Sequence, residues 1–499
     1  MTSQALFNQA ALLHEKGHLA RAEELYRQIL AATPRLFEVQ IQFALLCFQQ
    51  HRGVEALRAV EVALTLNPDA AEAHNLRGVL LNESGRGEEA LANFTRALEL
   101  KPDYADAWGN RGIALGELDR PEQALAAFRN ALAIQSSAEG WNCHGTALRN
   151  LKRFEEALAS YDKAVALAPD LAEAWNNRGL ALQGLGRSAE ALASVDRALA
   201  LGAADPFVMT IAGYVQFQLG RVKEGFALLQ RQAEKAAARP GAGRRLTDGP
   251  AHKQRHDGEQ QAHLGARGIA AGFHLAEGER LDAAAVNPAN AQSAEAQWFE
   301  NRPPVVVIDN FLTDAALKKL RRYCRDSTIW QKPFKNSYLG ALPEHGFACP
   351  LLAQIAEELR LTFPAVLGPH ALHLLWGFKY DSRLGGIGVH ADRAAVNVNF
   401  WITPDEANRN PQTGGMIIWD VCAPQDWEYT RYNGDEEKVR ALLAARQARP
   451  MTVPYRANRA VIFDSDLFHE TDRIEFREGY ANRRISITLL YGRRTEQDF

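Results

Sequence analysis

Small residues punctuate the first half of the chain at a fixed interval. They stand at Ala10, Ala44, Gly78, Gly112, Gly145, Gly179 and Gly213, in steps of 34, 34, 34, 33, 34 and 34 residues. Twelve positions after each comes a second small residue: Ala22, Ala56, Ala90, Ala124, Ala157, Ala191 and Gly225. Sixteen positions after each comes a larger apolar one: Tyr26, Val60, Phe94, Phe128, Tyr161, Val195 and Leu229. Antiparallel helices approach closely only where small side chains face each other, and the larger residue fills the groove beside them. Pro34, Pro68, Pro102 and Pro169 close four of the units, because proline lacks the donor the next turn needs. The pattern predicts a stack of helical hairpins, six regular units from about residue 2 to 204 and a degenerate seventh to about 235.

After Pro303 and Pro304 the period changes. VVVIDNFL reads as a strand ending in a turn, and LTDAALKKLRRYC as an amphipathic helix capped by Thr313 or Asp314. LLWGFKY, GIGVHAD, AVNVNFWI, GMIIWDV, RAVIFD and RRISITLLYG then read as short strands separated by turn signals. That succession predicts a double-sheet jelly roll with the helices of 314–365 packed outside one sheet. Between the two regions, 236–251 is a flexible linker by composition, and aromatic or β-branched runs are nearly absent as far as 297. HKQRHDGEQQAHL is expected to form one polar helix that docks on the C-terminal domain. Its histidines His252, His256 and His263 have no thiolate or carboxylate pair at metal-binding spacing and are expected at the surface. The domain boundaries expected are 1–235, 236–300 and 301–499.

The 34-residue pattern resembles tetratricopeptide repeats. The resemblance implies an all-α solenoid whose concave face receives a peptide or a partner protein. Asn75, Asn110, Asn142, Asn176 and Asn177, just before the first small position of their units, either form a polar ladder toward a ligand backbone or are solvated or satisfy loop backbone. Gly225 and Gln232 depart from the pattern of the seventh unit, as expected of a capping repeat.

Composition narrows the picture little. A net charge of -3 over 499 residues gives no global attraction to nucleic acid or anionic membrane, although Arg493 and Arg494 form a local basic patch. Neither a leader pattern at the start nor a run near the roughly 20 apolar residues of a spanning helix is seen, so a cytoplasmic location is expected. Cys47, Cys143, Cys324, Cys349 and Cys422 lack CxxC pairing and read as buried or half-buried thiols.

Candidate chemistry lies in the C-terminal domain. His390 and Asp392, at i and i+2, share one face of a strand, and His469 follows the apolar strand AVIF and a short turn. Two imidazoles and one carboxylate make a facial ligand set that suits Fe(II), and zinc also fits the ligand type. In NRRISIT, Arg484, Ser486 and Thr488 share one face of the strand, opposite Ile485, Ile487 and Leu489. A polar row ending in a guanidinium suits a dicarboxylate, paired bidentately by Arg484 with a further bond from Ser486. Arg483 falls on the apolar side and reads as a surface charge; Arg473 and Arg477, in the preceding loop, are weaker candidates.

HAD, then LFHETD, then RRISIT, in that order, resembles the 2-oxoglutarate/Fe(II)-dependent oxygenase superfamily, nearest its prolyl-hydroxylase-like branch, over about residues 303–495. The resemblance implies a dioxygenase in which His390, Asp392 and His469 bind iron, and Arg484 with Ser486 anchors the 5-carboxylate of 2-oxoglutarate. Tyr380 then stands where relatives often place a cosubstrate-bonding tyrosine, and Asn397 and Asn399 share a face directed at the pocket. O2 would be the second cosubstrate, and ascorbate a candidate reductant. A protein or peptide brought by the repeats is the substrate class expected. The alternatives are a small-molecule oxygenase whose repeats serve assembly, and a repeat scaffold with a catalytically silent barrel. One departure from the compact family pattern is the 77-residue spacing from Asp392 to His469, much of it in 404–450, expected to build a lid or substrate wall over the metal.

Overall fold

The computed structural model describes residues 3–202, 206–238, 250–334, 338–381 and 386–493. Most of the expected linker (239–249) and Arg494 lie outside the described residues. The chain divides into two compact units, Met1–Arg187 with Ala200–Gly202, and Ser188–Leu199 with Ala203–Phe499.

The first unit is an all-α solenoid. Its hairpins pair Ser3–Glu15 with Leu19–Ala32, Phe37–Gln49 with Gly53–Leu66, Ala71–Glu83 with Gly87–Leu100, Ala105–Glu117 with Pro121–Ile134, and Ala138–Asn150 with Phe154–Leu167, followed by Ala172–Gly184. The small positions do what their spacing implies. A Cβ on Gly78, Gly112 or Gly145 would come within 2.5, 2.6 or 2.7 Å of the ring of Phe94, Phe128 or Tyr161. The turn inside each hairpin is equally regular: Gly17, His51, Gly85, Asp119, Lys152 and Gly186 all have φ between 57° and 77°. At Gly17 the backbone closes as a Schellman cap, with His18 N–H bonded to Leu13 O at 2.8 Å and Gly17 N–H to His14 O at 3.0 Å. Successive hairpins are stapled by a side-chain donor that bonds the closing proline's carbonyl six residues earlier. Gln40 to Pro34, Trp108 to Pro102 and Trp175 to Pro169 repeat this at 2.9–3.0 Å, and His74 lies 2.9 Å from Pro68 O.

Four of the repeat asparagines form two separate pairs within the protein. Asn110 Nδ2 donates to Asn75 Oδ1 at 3.1 Å and Asn177 Nδ2 to Asn142 Oδ1 at 2.9 Å, each bridging neighbouring repeats. Asn75, Asn142, Asn176 and Asn177 are buried.

Among the described residues the second unit contains ten strands: β1 (Val305–Ile308), β2 (Lys332–Pro333), β3 (Tyr338–Ala341), β4 (Leu372–Tyr380), β5 (Val396–Trp401), β6 (Met416–Cys422), β7 (Pro450–Val453), β8 (Ala460–Asp464), β9 (Leu467–Thr471) and β10 (Ile485–Tyr491). They make a seven-stranded sheet in the order β1-β8-β5-β10-β4-β3-β2 and a three-stranded sheet β7-β6-β9, with every pair antiparallel. One face of the large sheet, with Val398, Phe400, Ile487 and Leu489, shares a core with Leu320, Leu351 and Ile355 of the helices Asp314–Asp326 and Pro350–Thr362. The other face meets the small sheet through Trp401, Val461 and Phe463 against Met416, Ile418 and Leu467.

The seventh hairpin, Pro206–Gln218 with Val222–Ala237, belongs to this unit and is not a solvent-facing cap. Phe217, Val222, Phe226 and Leu229 lie in the same core as the large sheet, and Tyr214 donates to Glu344 at 2.8 Å. Gly225 departs from alanine because a Cβ there would stand 2.6 Å from Gly213 O.

The helix Ala251–Gly265 packs with its polar side inward, so the expectation of surface histidines fails: His256 is fully buried and His252 only 8% exposed. The helix is polar on every side, and the β domain supplies polar partners. Gln260 donates to Ser327 O and to Tyr480 Oη, both at 2.9 Å; Arg255 bonds Asp381 at 2.6 Å; His263 lies 2.9 Å from Asp326. Arg483, expected as a surface charge, is buried under the same helix and pairs with Glu259 at 3.0 Å. None of the five cysteines forms a disulfide, and Cys422 is exposed instead of half-buried. Among the described residues, no helix is long and apolar enough to cross a membrane.

Two predictions follow from packing. Gly112→Ala should lower the melting temperature of the full chain, because overpacking costs about 1–3 kcal/mol and outweighs a helix-propensity gain of up to about 1 kcal/mol. Gly109→Ala, whose Cβ meets nothing within 4 Å, should raise it. A chain beginning at Ser188 should give a cooperative melt and native near-UV dichroism. One beginning at Ala236 should lose both, since it strips Phe217, Phe226 and Leu229 from the core at roughly 3 kcal/mol each.

Candidate metal centre

His390, Asp392 and His469 come together, with one ligand atom from each lying within 4.8 Å of the others. The expected strand GIGVHAD is not a regular strand. Only His390 pairs, in a single bridge with His469 of β9, through N–H···O bonds of 2.9 and 2.8 Å in the two directions. Asp392 N–H bonds Ser465 O at 3.1 Å, which fixes the third ligand to the turn before β9.

Local hydrogen bonds set the chemical state of each ligand. His390 Nδ1 lies 2.8 Å from Gly388 O and His469 Nδ1 3.0 Å from Leu467 O. A carbonyl only accepts, so both Nδ1 atoms carry the proton and both Nε2 lone pairs are left for a metal. Those Nε2 atoms lie 3.9 and 3.3 Å from the Asp392 carboxylate. Asn397, expected to face a cosubstrate, donates its Nδ2 to Asp392 Oδ2 at 2.6 Å, while its buried Oδ1 has no partner. Asn399 donates to Thr488 at 2.7 Å.

Arg484 ends the polar row of β10 and is 2% exposed. Its Nε donates to Gly414 O at 2.6 Å and its Nη2 to Gly415 O at 3.1 Å, leaving Nη1 buried without a partner. The guanidinium lies 4.7 Å from the centre of the Tyr380 ring and 5.5 Å from that of Trp401. Ser486 is buried on the same row; Tyr380, buried at the end of the neighbouring β4, bonds Arg484 O through its N–H, and its Oη lies 3.5 Å from Thr471 Oγ1 on β9. Sequence reading missed Trp401, whose buried Nε1 is unpartnered, and the glycine pair that holds Arg484. The pair's signal in the sequence is the Gly-Gly dipeptide before β6, and in the fold a Cβ on Gly415 would strike Val453 O at 1.9 Å.

The 404–450 stretch divides differently from the lid expected. Tyr432, Val439 and Leu443 pack with Val389, Ala391 and Phe468, whose positions alternate with those of the ligands, so this part stands behind the metal site. Gly414 and Gly415 instead close the end occupied by Arg484.

Electrostatics favours neutral imidazole beside ionised carboxylate. Burial, reinforced by His469 and opposed by Asp392, pushes His390 down to about 4. Burial alone would raise Asp392, but His469, His390 and the Asn397 amide together hold it below the usual range. Since His390 is depressed from 6.5 to about 4 on folding, its contribution to stability is present above pH 6.5 and lost as pH falls to 4. His390→Ala should therefore flatten the acid limb of metal-free stability in that window, by roughly 3 kcal/mol at most, as read from urea midpoints.

Four segments match tetratricopeptide families: 43–92, 69–137 and 172–202, described as Tetratricopeptide repeat, and 145–186, described as TPR repeat. No curated protein matches the chain. Among solved structures, it is similar to a tetratricopeptide repeat protein from Parabacteroides merdae at 16% identity, over 48% of this chain and 96% of that one, with a TM-score of 0.40. It is similar to a thermophilic TPR protein in Thermus thermophilus at 22% identity over 36% and 100% of the two chains, with a TM-score of 0.33. YrrB, a TPR protein with an unusual peptide-binding site, gives 23% identity over 37% and 95%, with a TM-score of 0.31. The N-terminal 200 residues or so are tetratricopeptide repeats, generally a module of protein interaction.

Proposed function

We propose that the second unit is an Fe(II)/2-oxoglutarate-dependent dioxygenase that hydroxylates a protein or peptide side chain recruited by the repeats. The observation that carries the reading is the convergence of His390, Asp392 and His469 in a unit where Arg484 keeps a buried, unpartnered Nη1. The two sheets with an apolar layer between them support a double-stranded β-helix.

The residues fit the groups the reading needs. Two imidazoles and one carboxylate suit Fe(II), and an orphaned guanidinium nitrogen suits a carboxylate end of 2-oxoglutarate. When bound, iron, 2-oxoglutarate and O2 supply hydroxylation of a C–H bond coupled to decarboxylation of the cosubstrate to succinate. The protein's part is positioning. His390 and His469 present their Nε2 lone pairs because their Nδ1 protons are spent on backbone carbonyls. Asn397 holds Asp392 by one oxygen and leaves the other free to ligate. The Gly414 and Gly415 carbonyls fix the guanidinium so that its free edge needs no reorganisation, and the Tyr380 ring keeps water from one side of it. The repeats raise the local concentration of any chain that both units touch.

The test is succinate release from 2-oxoglutarate with added Fe(II). Wild type should release it and His390→Ala should not. Arg484→Gln should need about tenfold or more 2-oxoglutarate for half-maximal release, the loss expected of a charge-assisted bond. Equal release by wild type and His390→Ala would sink the enzyme reading and leave a repeat scaffold with a silent barrel.

A further inference from the structure

On one side the tripeptide 390–392 is held by the bridge between His390 and His469 and by the bond from Asp392 N–H to Ser465 O. Its other side is held by the stretch that separates Asp392 from His469 in sequence. Ala391, between the two ligands, gives its N–H to Tyr432 O at 3.1 Å, and its carbonyl accepts from Asn433 Nδ2 at 3.0 Å. In a regular sheet a neighbouring strand would supply both bonds. Here one backbone carbonyl and one side-chain amide replace it.

The same stretch also reaches residues that flank His390 and His469. A Cβ on Gly388 would stand 2.5 Å from Glu436 Oε2, so the carboxylate occupies the space that glycine leaves open. Gly388 O is the acceptor that fixes the His390 tautomer. Arg440, one helical turn further along, bonds Glu436 at 2.6 Å and Glu470 at 2.7 Å, and Glu470 directly follows His469. One guanidinium thus joins Glu436, whose carboxylate lies against Gly388, to the strand that carries His469. The apolar cluster of Val389, Ala391, Tyr432, Val439 and Phe468 makes the seating cooperative, because a shift of the stretch opens a gap behind the ligands.

We propose that residues 432–440 form a clamp in which Asn433 and Arg440 are positioning residues, holding His390, Asp392 and His469 at metal-binding separation. The clamp rests on the metal-centre reading above. By linkage, metal binding and seating of the stretch stabilise each other by the same factor, so a partner that unseats residues 432–440 loosens the metal.

Co(II) tests this in the full chain, because its visible bands report both occupancy and coordination geometry. Asn433→Ala and Asn433→Asp, which both delete the donor to Ala391 O, should weaken Co(II) binding about tenfold or more, as outer-shell changes do, and shift the bands. The melting temperature of the metal-free protein should stay near that of wild type. Arg440→Ala, at a half-exposed side chain, should weaken binding several-fold, with partial recovery in Arg440→Lys. Wild-type affinity and spectrum in both Asn433→Asp and Arg440→Ala would overturn the clamp. If the Asn433 variants do not fold, Arg440→Ala decides alone, and unchanged affinity there overturns the clamp. Absence of Co(II) bands in wild type would overturn the metal reading itself and the clamp with it.

Discussion

The second unit turns on a row of polar side chains buried between two sheets. Ile485, Ile487 and Leu489 of β10 and Val396, Val398 and Phe400 of β5 go to the helix layer. Strand alternation then forces Arg484, Ser486 and Thr488, with Asn397 and Asn399, into the space facing the small sheet. Polar groups there must find partners or remain costly, since buried groups cannot fall back on water. Most do: Asn399 bonds Thr488, Asn397 bonds Asp392, and two edges of Arg484 bond backbone carbonyls. Arg484 Nη1 and Asn397 Oδ1 remain buried without a hydrogen-bond partner.

Packing in the repeats obeys a simpler form of the same rule. Glycine or alanine faces a ring or a branched chain, so hairpin distance is set by excluded volume; polar groups then match across the hairpins because the spacing repeats. That is why Asn75 meets Asn110 and Asn142 meets Asn177, with the same 35-residue separation. Amides that satisfy one another in this way do not need a bound peptide to justify their burial.

Around the β domain, elements that looked peripheral are parts of its core or its site. The seventh hairpin contributes aromatic and aliphatic side chains to the main core, and the polar helix Ala251–Gly265 closes over Tyr480 and Arg483. The stretch 432–443 packs behind Ala391 and bonds its backbone. In each case an ordinary solvent-facing surface is replaced by a specific counterpart distant in sequence.

Periodicity alone determined the helical hairpins, because a small residue every 34 positions has one dense packing solution. Alternation alone placed Arg484, Ser486 and Thr488 on one face, and the residue types at His390, Asp392 and His469 suggested a ligand set whose three members the fold brings together. Tertiary structure decided what those patterns cannot encode. The burial of His256 and Arg483 depends on partners supplied by another element, and a polar sequence reads as solvent-exposed until that partner is known. The ligand segment proved irregular, joined to His469 by a single bridge and to residues 432–433 by bonds to Ala391. Local pattern fixes which way a side chain points; only the folded chain fixes what waits for it there.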